Sequence, residues 1–183
     1  RFTATTDKHD LETKAKAAIK FLEDGMKVKV SVYIKGRMMQ RMDIVVLAGG
    51  LSTERDVSFK TGSMVAAALK ENGHRVILLD VFMGYGEQEV DLNGIFDRAD
   101  EISVKVSDIP EVAPDLAAVK ASRKDQSPCF FGPNVIRMCQ MADIVFMALH
   151  GENGENGKLQ AAFDLLGVKY TGSDYLSSAI AMN

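Results

Sequence analysis

Two kinds of hydrophobic pattern follow one another along the chain. Val28, Val30, Val32 and Ile34 alternate with Lys27, Lys29, Ser31 and Tyr33, which predicts a strand with one buried face and one wet, basic face. From Asp43 the pattern changes. "DIVVLA" is a continuous apolar run, and "HRVILLDV" and "DIVFMAL" repeat it, as expected of strands covered on both faces in a parallel sheet. Ahead of the first strand, Asp10 is placed to cap a helix. Leu11, Ala15, Ala18 and Leu22 form its apolar face, Lys14, Lys16 and Lys20 fall away from it, and Gly25 stops it. With "RFTAT" as an earlier strand, residues 1–36 make a β-α-β unit too small to bury a core of its own.

Between the buried strands the period switches to helical. "GGLSTERDVS" leads into an amphipathic helix that runs to about Asn72. "PNVIRMCQMA" is a helix opened by Pro133, "GKLQAAFDLLG" a helix closed by Gly167, "VKYTG" a short strand and "DYLSSAIAMN" a helix start. Residues 84–128 are less regular, acidic and hold three of the four prolines; they read as an insertion with one helix and one short strand. Buried strands alternating with helices define the fold class as α/β, a Rossmann-like, doubly wound parallel sheet preceded by the small β-α-β unit.

Charge sharpens the division. Residues 1–41 carry ten Lys or Arg against five Asp or Glu, net +5, whereas the remainder carries twelve against twenty, net −8. The two parts therefore call for different partners. No run of about 18 apolar residues and no charged-then-apolar leader is present, so a soluble chain with a cytoplasmic address and no membrane segment is expected. The opening at Arg1 rather than Met suggests a trimmed or partial product. Cys129 and Cys139 sit in apolar company without ligand spacing, which favours buried thiols over a metal site or a bridge.

Two loops leave the carboxyl ends of predicted strands, where ligands collect in open α/β sheets. In "AGGLSTERDVS", Gly49 and Gly50 permit a tight turn and close approach to the backbone, while Ser52, Thr53, Glu54 and Asp56 bring oxygens to a helix start. In "ALHGENGENGK", His150 leaves the third strand and glycines follow. Ordinary turn-and-cap chemistry explains the first loop equally well: Glu54 can complement the helix N-terminus, and His150 can be a hydrogen-bonded structural residue. Neither loop matches GxGxxG or GxxxxGK[ST]. Asp80 ends the second strand where dinucleotide folds place a ribose acid, without the glycine fingerprint that would support it.

Together, "VVLAGGLSTERDVSFKTG" and "IVFMALHGENGENGKLQAAFDLLGVKYTGSDYLSSAIAMN", in that order, resemble the N-terminal domain of the D-alanine–D-alanine ligase family, including its relatives that use D-serine or D-lactate. The resemblance covers residues 42–183 and implies a pre-ATP-grasp domain of peptidoglycan precursor synthesis that binds D-alanine. It implies that Glu54 holds the substrate ammonium, that His150 supports the same end, and that Gly50, Val57, Ser58 and Gly151 shape the pocket. A substrate ammonium needs a fixed carboxylate, and an acyl phosphate needs a water-excluding site. ATP and magnesium are implied for the full-length family, as is a homodimer; the ATP-grasp portion should follow Asn183. This chain alone is expected to bind neither metal nor ATP and to make no dipeptide.

Residues 1–41 resemble something else. "DKHDLETKAKAAIKFLEDGMKVKVSVYIKGRMM" is similar to the first half of the C-terminal domain of bacterial translation initiation factor 3. That resemblance implies contacts to ribosomal RNA through Lys14, Lys20, Lys27, Lys29, Lys35, Arg37 and Arg41; a solvated lysine-rich face is the alternative. The domain expectation is therefore 1–41 and 42–183 as an apparent fusion, with an RNA-binding module or an inactive engineered chimera as the competing readings.

Overall fold

The computed structural model describes residues 40–87, 89–106, 110 and 112–182, together with Phe2, Thr3, Thr13, Lys16, Val32 and Tyr33. The chain divides into two compact units, Arg1–Gln40 and Arg41–Asn183.

In the first unit, β1 (Phe2–Thr3) pairs in parallel with β2 (Val32–Tyr33), Phe2 opposite Val32 and Thr3 opposite Tyr33. A parallel pair requires a crossover, and Thr13 and Lys16 between the strands are helical and exposed. The β-α-β reading of this unit rests on those residues. The rest of the expected helix, most of strand 26–34, and Lys14, Lys20, Lys27, Lys29, Lys35 and Arg37 lie outside the described residues.

In the second unit, β3 (Asp43–Ala48) is followed by α1 (Arg55–Glu71) and β4 (Arg75–Asp80). A 3₁₀ turn at Ile95–Arg98, then α2 (Ala99–Ile102), α3 (Leu116–Ser122) and α4 (Val135–Met141) lead to β5 (Ile144–Met147). The order closes with α5 (Glu152–Glu155), α6 (Lys158–Leu166) and α7 (Tyr175–Ala181). The sheet is parallel with β3 central, in the order β4-β3-β5; Ile44 stands opposite both Val76 and Ile144.

Pleating sends alternate residues of β3 to two cores, the reason its apolar run is continuous. Val45 and Leu47 pack with Ile77, Leu79, Met138 and Phe163, whereas Ile44, Val46 and Ala48 pack with Val76, Leu78 and Ala66. On the second face α1 lies close because its buried positions, Ser58, Gly62 and Ala66, are small and spaced by four. A Cβ on Gly62 would meet Leu78 Cδ1 at 2.9 Å and Ala48 Cβ at 3.1 Å.

Five expectations are corrected. The insertion holds the 3₁₀ turn and two short helices with no strand among the described residues; Val104 donates to Leu78 O at 2.9 Å beside β4 without extending into a ladder. α4 opens at Val135 rather than at Pro133, because Asn134 takes a left-handed conformation (φ 62°) and its amide donates to the carbonyls of Tyr85 and Glu87 at 2.8 and 2.7 Å. "VKYTG" contributes one parallel bridge, Tyr170 beside Val145, in place of a strand. Within "GENGENG" the chain forms the short helix α5, where the sequence pattern indicates only a loop. Cys139 is buried as expected, while Cys129 is exposed. Among the described residues no helix is long and apolar enough to cross a membrane.

Candidate functional site

The parallel sheet brings the carboxyl ends of β3, β4 and β5 to one edge, and the two glycine loops leave from it. Gly49 and Gly50 have φ of 77° and 81°, a region that favours glycine. Crowding adds to the need at Gly49, where a Cβ would lie 2.7 Å from Phe59 Cζ and 2.8 Å from Asp80 Oδ1. Ser58, fully buried in the first turns of α1, donates to Ala148 O and accepts from Gly49 N, each at 2.9 Å. One hydroxyl thus joins the exits of β3 and β5. Both its hydrogen-bonding roles are engaged with backbone, so Ser58 acts on the loop it holds. Ser52 adds a second tie, donating to His150 O at 2.9 Å and accepting from Glu54 N at 3.3 Å.

Glu54 is the residue preceding α1, yet its carboxylate makes no capping bond. Glu54 is exposed, and its carboxylate has no hydrogen-bond or ion-pair partner among the described residues. The helix-complementing alternative thus finds no hydrogen bond in its favour. The carboxylate stands over Gly151, whose φ is 79° and where a Cβ would sit 2.9 Å from Glu54 Oε2. His150 is part-buried, with Nε2 3.1 Å from Thr61 Oγ1 and Nδ1 3.7 Å from Glu155 Oε1. Val57 is 43% exposed on the first turn of α1. Sequence-chosen Glu54, His150, Gly50, Gly151 and Ser58 therefore meet at one edge of the sheet, while the side-chain contacts of His150 run to Thr61 and Glu155 rather than to Glu54.

Residues 43–173 match the family model for the D-ala D-ala ligase N-terminus, nearly three quarters of the chain. The chain belongs to this family. The D-alanine–D-alanine ligase of Lacticaseibacillus casei (strain BL23) is 47% identical over 143 residues, which is 78% of this chain and 39% of that protein. That of Pediococcus pentosaceus is 42% identical over 144 residues, 78% of this chain and 40% of the relative. The crystal structure of D-alanine–D-alanine ligase from Bacillus anthracis complexed with ATP shares 25% identity, covering 78% of this chain and 32% of that one with a TM-score of 0.46. The chain thus spans about two fifths of the length of its curated relatives. Residues 1–47 match a second model, that of the translation initiation factor IF-3 C-terminal domain.

Within this D-alanine–D-alanine ligase N-terminal domain, three residues that contact the candidate site residues are not singled out by the sequence. Glu155 Oε2 accepts from Gly151 N at 3.2 Å while its other oxygen faces His150, and Thr61 holds the far side of that ring. A signal for Glu155 is present, since it stands one helical turn after Gly151, but the glycine-rich pattern there does not predict α5. Arg55 is the third, and it explains Asp80. The Arg55 guanidinium pairs with Asp80 through both Nη atoms and donates to Gly50 O at 2.6 Å. Asp80 Oδ1 also accepts from Phe82 N and Met83 N at 2.9 and 3.2 Å. With its oxygens so engaged, Asp80 does not fit the role of a ribose acid. Among the described residues no group of three or more His, Cys, Asp or Glu is placed to hold a metal ion.

Beyond β4, a cavity of about 460 Å³ is lined by Met83, Glu87, Arg123, Lys124, Asp125 and Pro133, with neither Glu54 nor His150 in its wall. Arg123 there is structural: it pairs with Asp125 and donates to Cys129 O and Phe131 O at 2.6 and 3.1 Å.

Proposed function

We propose that residues 42–183 form the D-alanine-binding domain of a ligase that joins D-amino acids. The observation that carries this is the Glu54 carboxylate, carried by a strand-end loop, exposed over Gly151 and free of any protein partner among the described residues. Such a group is suited to a substrate ammonium, for which a charge-assisted hydrogen bond is among the stronger polar contacts. His150, steadied by Thr61 and Glu155, supports the same end, and Val57 and Gly50 wall the pocket. Titration of D-alanine into the 183-residue protein, followed by backbone amide shifts, tests the reading. Ser52 to Val57 and Gly151 should respond, L-alanine should bind more weakly, and Glu54→Gln should lower affinity about tenfold or more. Equal binding by Glu54→Gln overturns it.

The ligation carried out by the longer relatives is proposed to need ATP and magnesium, and neither glycine loop of this chain matches GxGxxG or GxxxxGK[ST]. Assayed as it is, the 183-residue chain should release no ADP in a D-alanine-dependent manner; turnover in that assay refutes this. The match of residues 1–47 to the initiation-factor domain supports a second reading, in which Lys14, Lys20, Lys27, Lys29, Lys35 and Arg37 contact ribosomal RNA. Binding to small-subunit RNA that weakens steeply with salt is its expected signature, and salt-insensitive or absent binding removes it.

A further inference from the structure

A buried ion pair sits directly behind the proposed ammonium-binding residue. The Arg55 and Asp80 side chains are 11% and 4% exposed, and the guanidinium also lies 5.0 Å over the Phe59 ring. Removing both charges from water is costly, and such pairs are poor devices for stability alone compared with apolar residues of similar volume. Their geometry here is specific. One guanidinium fork reaches Gly50 O at the end of β3 and both carboxylate oxygens at the end of β4, while Asp80 Oδ1 collects the amides of Phe82, Met83 and, at 3.4 Å, Gly50. Two strand ends and the first residue of α1 are thereby held together. Glu54 is the preceding residue, and with Arg55 drawn inward its own side chain emerges over Gly151.

We propose that Arg55, acting through Asp80 and Gly50 O, is a positioning residue that sets where the Glu54 carboxylate meets the substrate ammonium. This rests on the D-alanine pocket proposed above. A lysine could keep one ion pair with Asp80 but cannot span Gly50 O and both carboxylate oxygens with a planar fork.

The test compares two conservative variants at opposite ends of the same strands. Arg55→Lys is paired with Arg75→Lys, whose arginine, at the amino end of β4, bonds Asp43 at the amino end of β3 and Asp97 in the 3₁₀ turn. D-alanine and D-lactate, which lacks the ammonium, are titrated calorimetrically into each protein alongside thermal unfolding. Arg55→Lys is expected to lose about tenfold in D-alanine affinity and to lower the D-alanine over D-lactate preference, since displacement of a positioned group by about 1 Å is costly. Arg75→Lys should lower Tm with affinity and preference unchanged. Unchanged affinity in Arg55→Lys, or affinity losses that track Tm equally in both variants, overturn the proposal while leaving the pocket intact. Absence of D-alanine binding by the unmodified protein instead removes the pocket reading and this one with it. If Arg55→Lys does not fold, Asp80→Asn, which keeps the acceptor for Phe82 and Met83, carries the same expectation and the same refutation.

Discussion

Replacing Gly49 by alanine asks how much the tight exit of β3 depends on having no side chain. Its φ of 77° lies where an L-residue is strained, at about 1–2 kcal/mol. The added Cβ would also lie 2.7 Å from Phe59 Cζ and 2.8 Å from Asp80 Oδ1, distances that real Cβ atoms do not show. Asp80 is buried and held by Arg55, and Phe59 packs under the guanidinium, so neither can yield freely; such overpacking costs about 1–3 kcal/mol more. The total is about 2–5 kcal/mol, a large part of the ~5–15 kcal/mol that holds an ordinary domain folded. Gly73 supplies the comparison. Its φ is 87°, yet a Cβ there would find nothing within 4 Å, so Gly73→Ala should cost only the backbone share of about 1 kcal/mol. Urea unfolding followed by circular dichroism measures both. A Gly49→Ala loss no greater than that of Gly73→Ala would refute the claim that contact with Phe59 and Asp80, and not backbone strain alone, requires glycine there.

Ser58→Ala leaves Gly49 N and Ala148 O without their buried partner and should lower stability by about 1–3 kcal/mol in the same assay; Ser58→Ala at wild-type stability would show that the hydroxyl is not joining the two exits. Burial pushes the Cys139 thiol up to about 12, so at pH 8 a thiol reagent should modify Cys129 promptly and Cys139 only on unfolding, as mass spectrometry of the labelled peptides will show. The amide of Ser177 holds the Asp174 carboxyl below the usual carboxylate range. Its folded value is the lower one, so its contribution to α7 is present above the unfolded value and lost as pH falls through the folded value. Asp174→Asn should flatten the acid side of the stability profile below about pH 4, and an unchanged profile counts against the cap.

Much of the α/β architecture was written in local pattern. Apolar runs at 44–48, 76–79 and 144–147 call for cover on both faces, and with helical periods between them a parallel sheet is the economical arrangement. Gly167 stops α6 as its position indicated, with φ of 66°. The glycine loops announced the edge at which Glu54 and His150 meet. The short pieces were less legible. α5, the 3₁₀ turn and the start of α4 depend on single contacts, such as the Asn134 amide on the carbonyls of Tyr85 and Glu87, and periodicity over four residues carries no such information.

What the sequence by itself determined is the type of each long element, the change in charge and strand character near residue 41, and the residue types offered at each strand end. What only the tertiary structure decided is which of those residues share a partner. Arg55 finds Asp80 across 25 positions, Thr61 finds His150 across 89, and Ser58 finds Ala148 across 90. Those distances close because β3 is central between β4 and β5, so that three strand ends far apart in the chain emerge side by side. Strand order is set by the packing of whole faces against helices, a global balance that no local stretch encodes. The same order leaves the Glu54 carboxylate without a protein partner among the described residues, and an unpaired carboxylate can be recognised as such only when everything around it is in place.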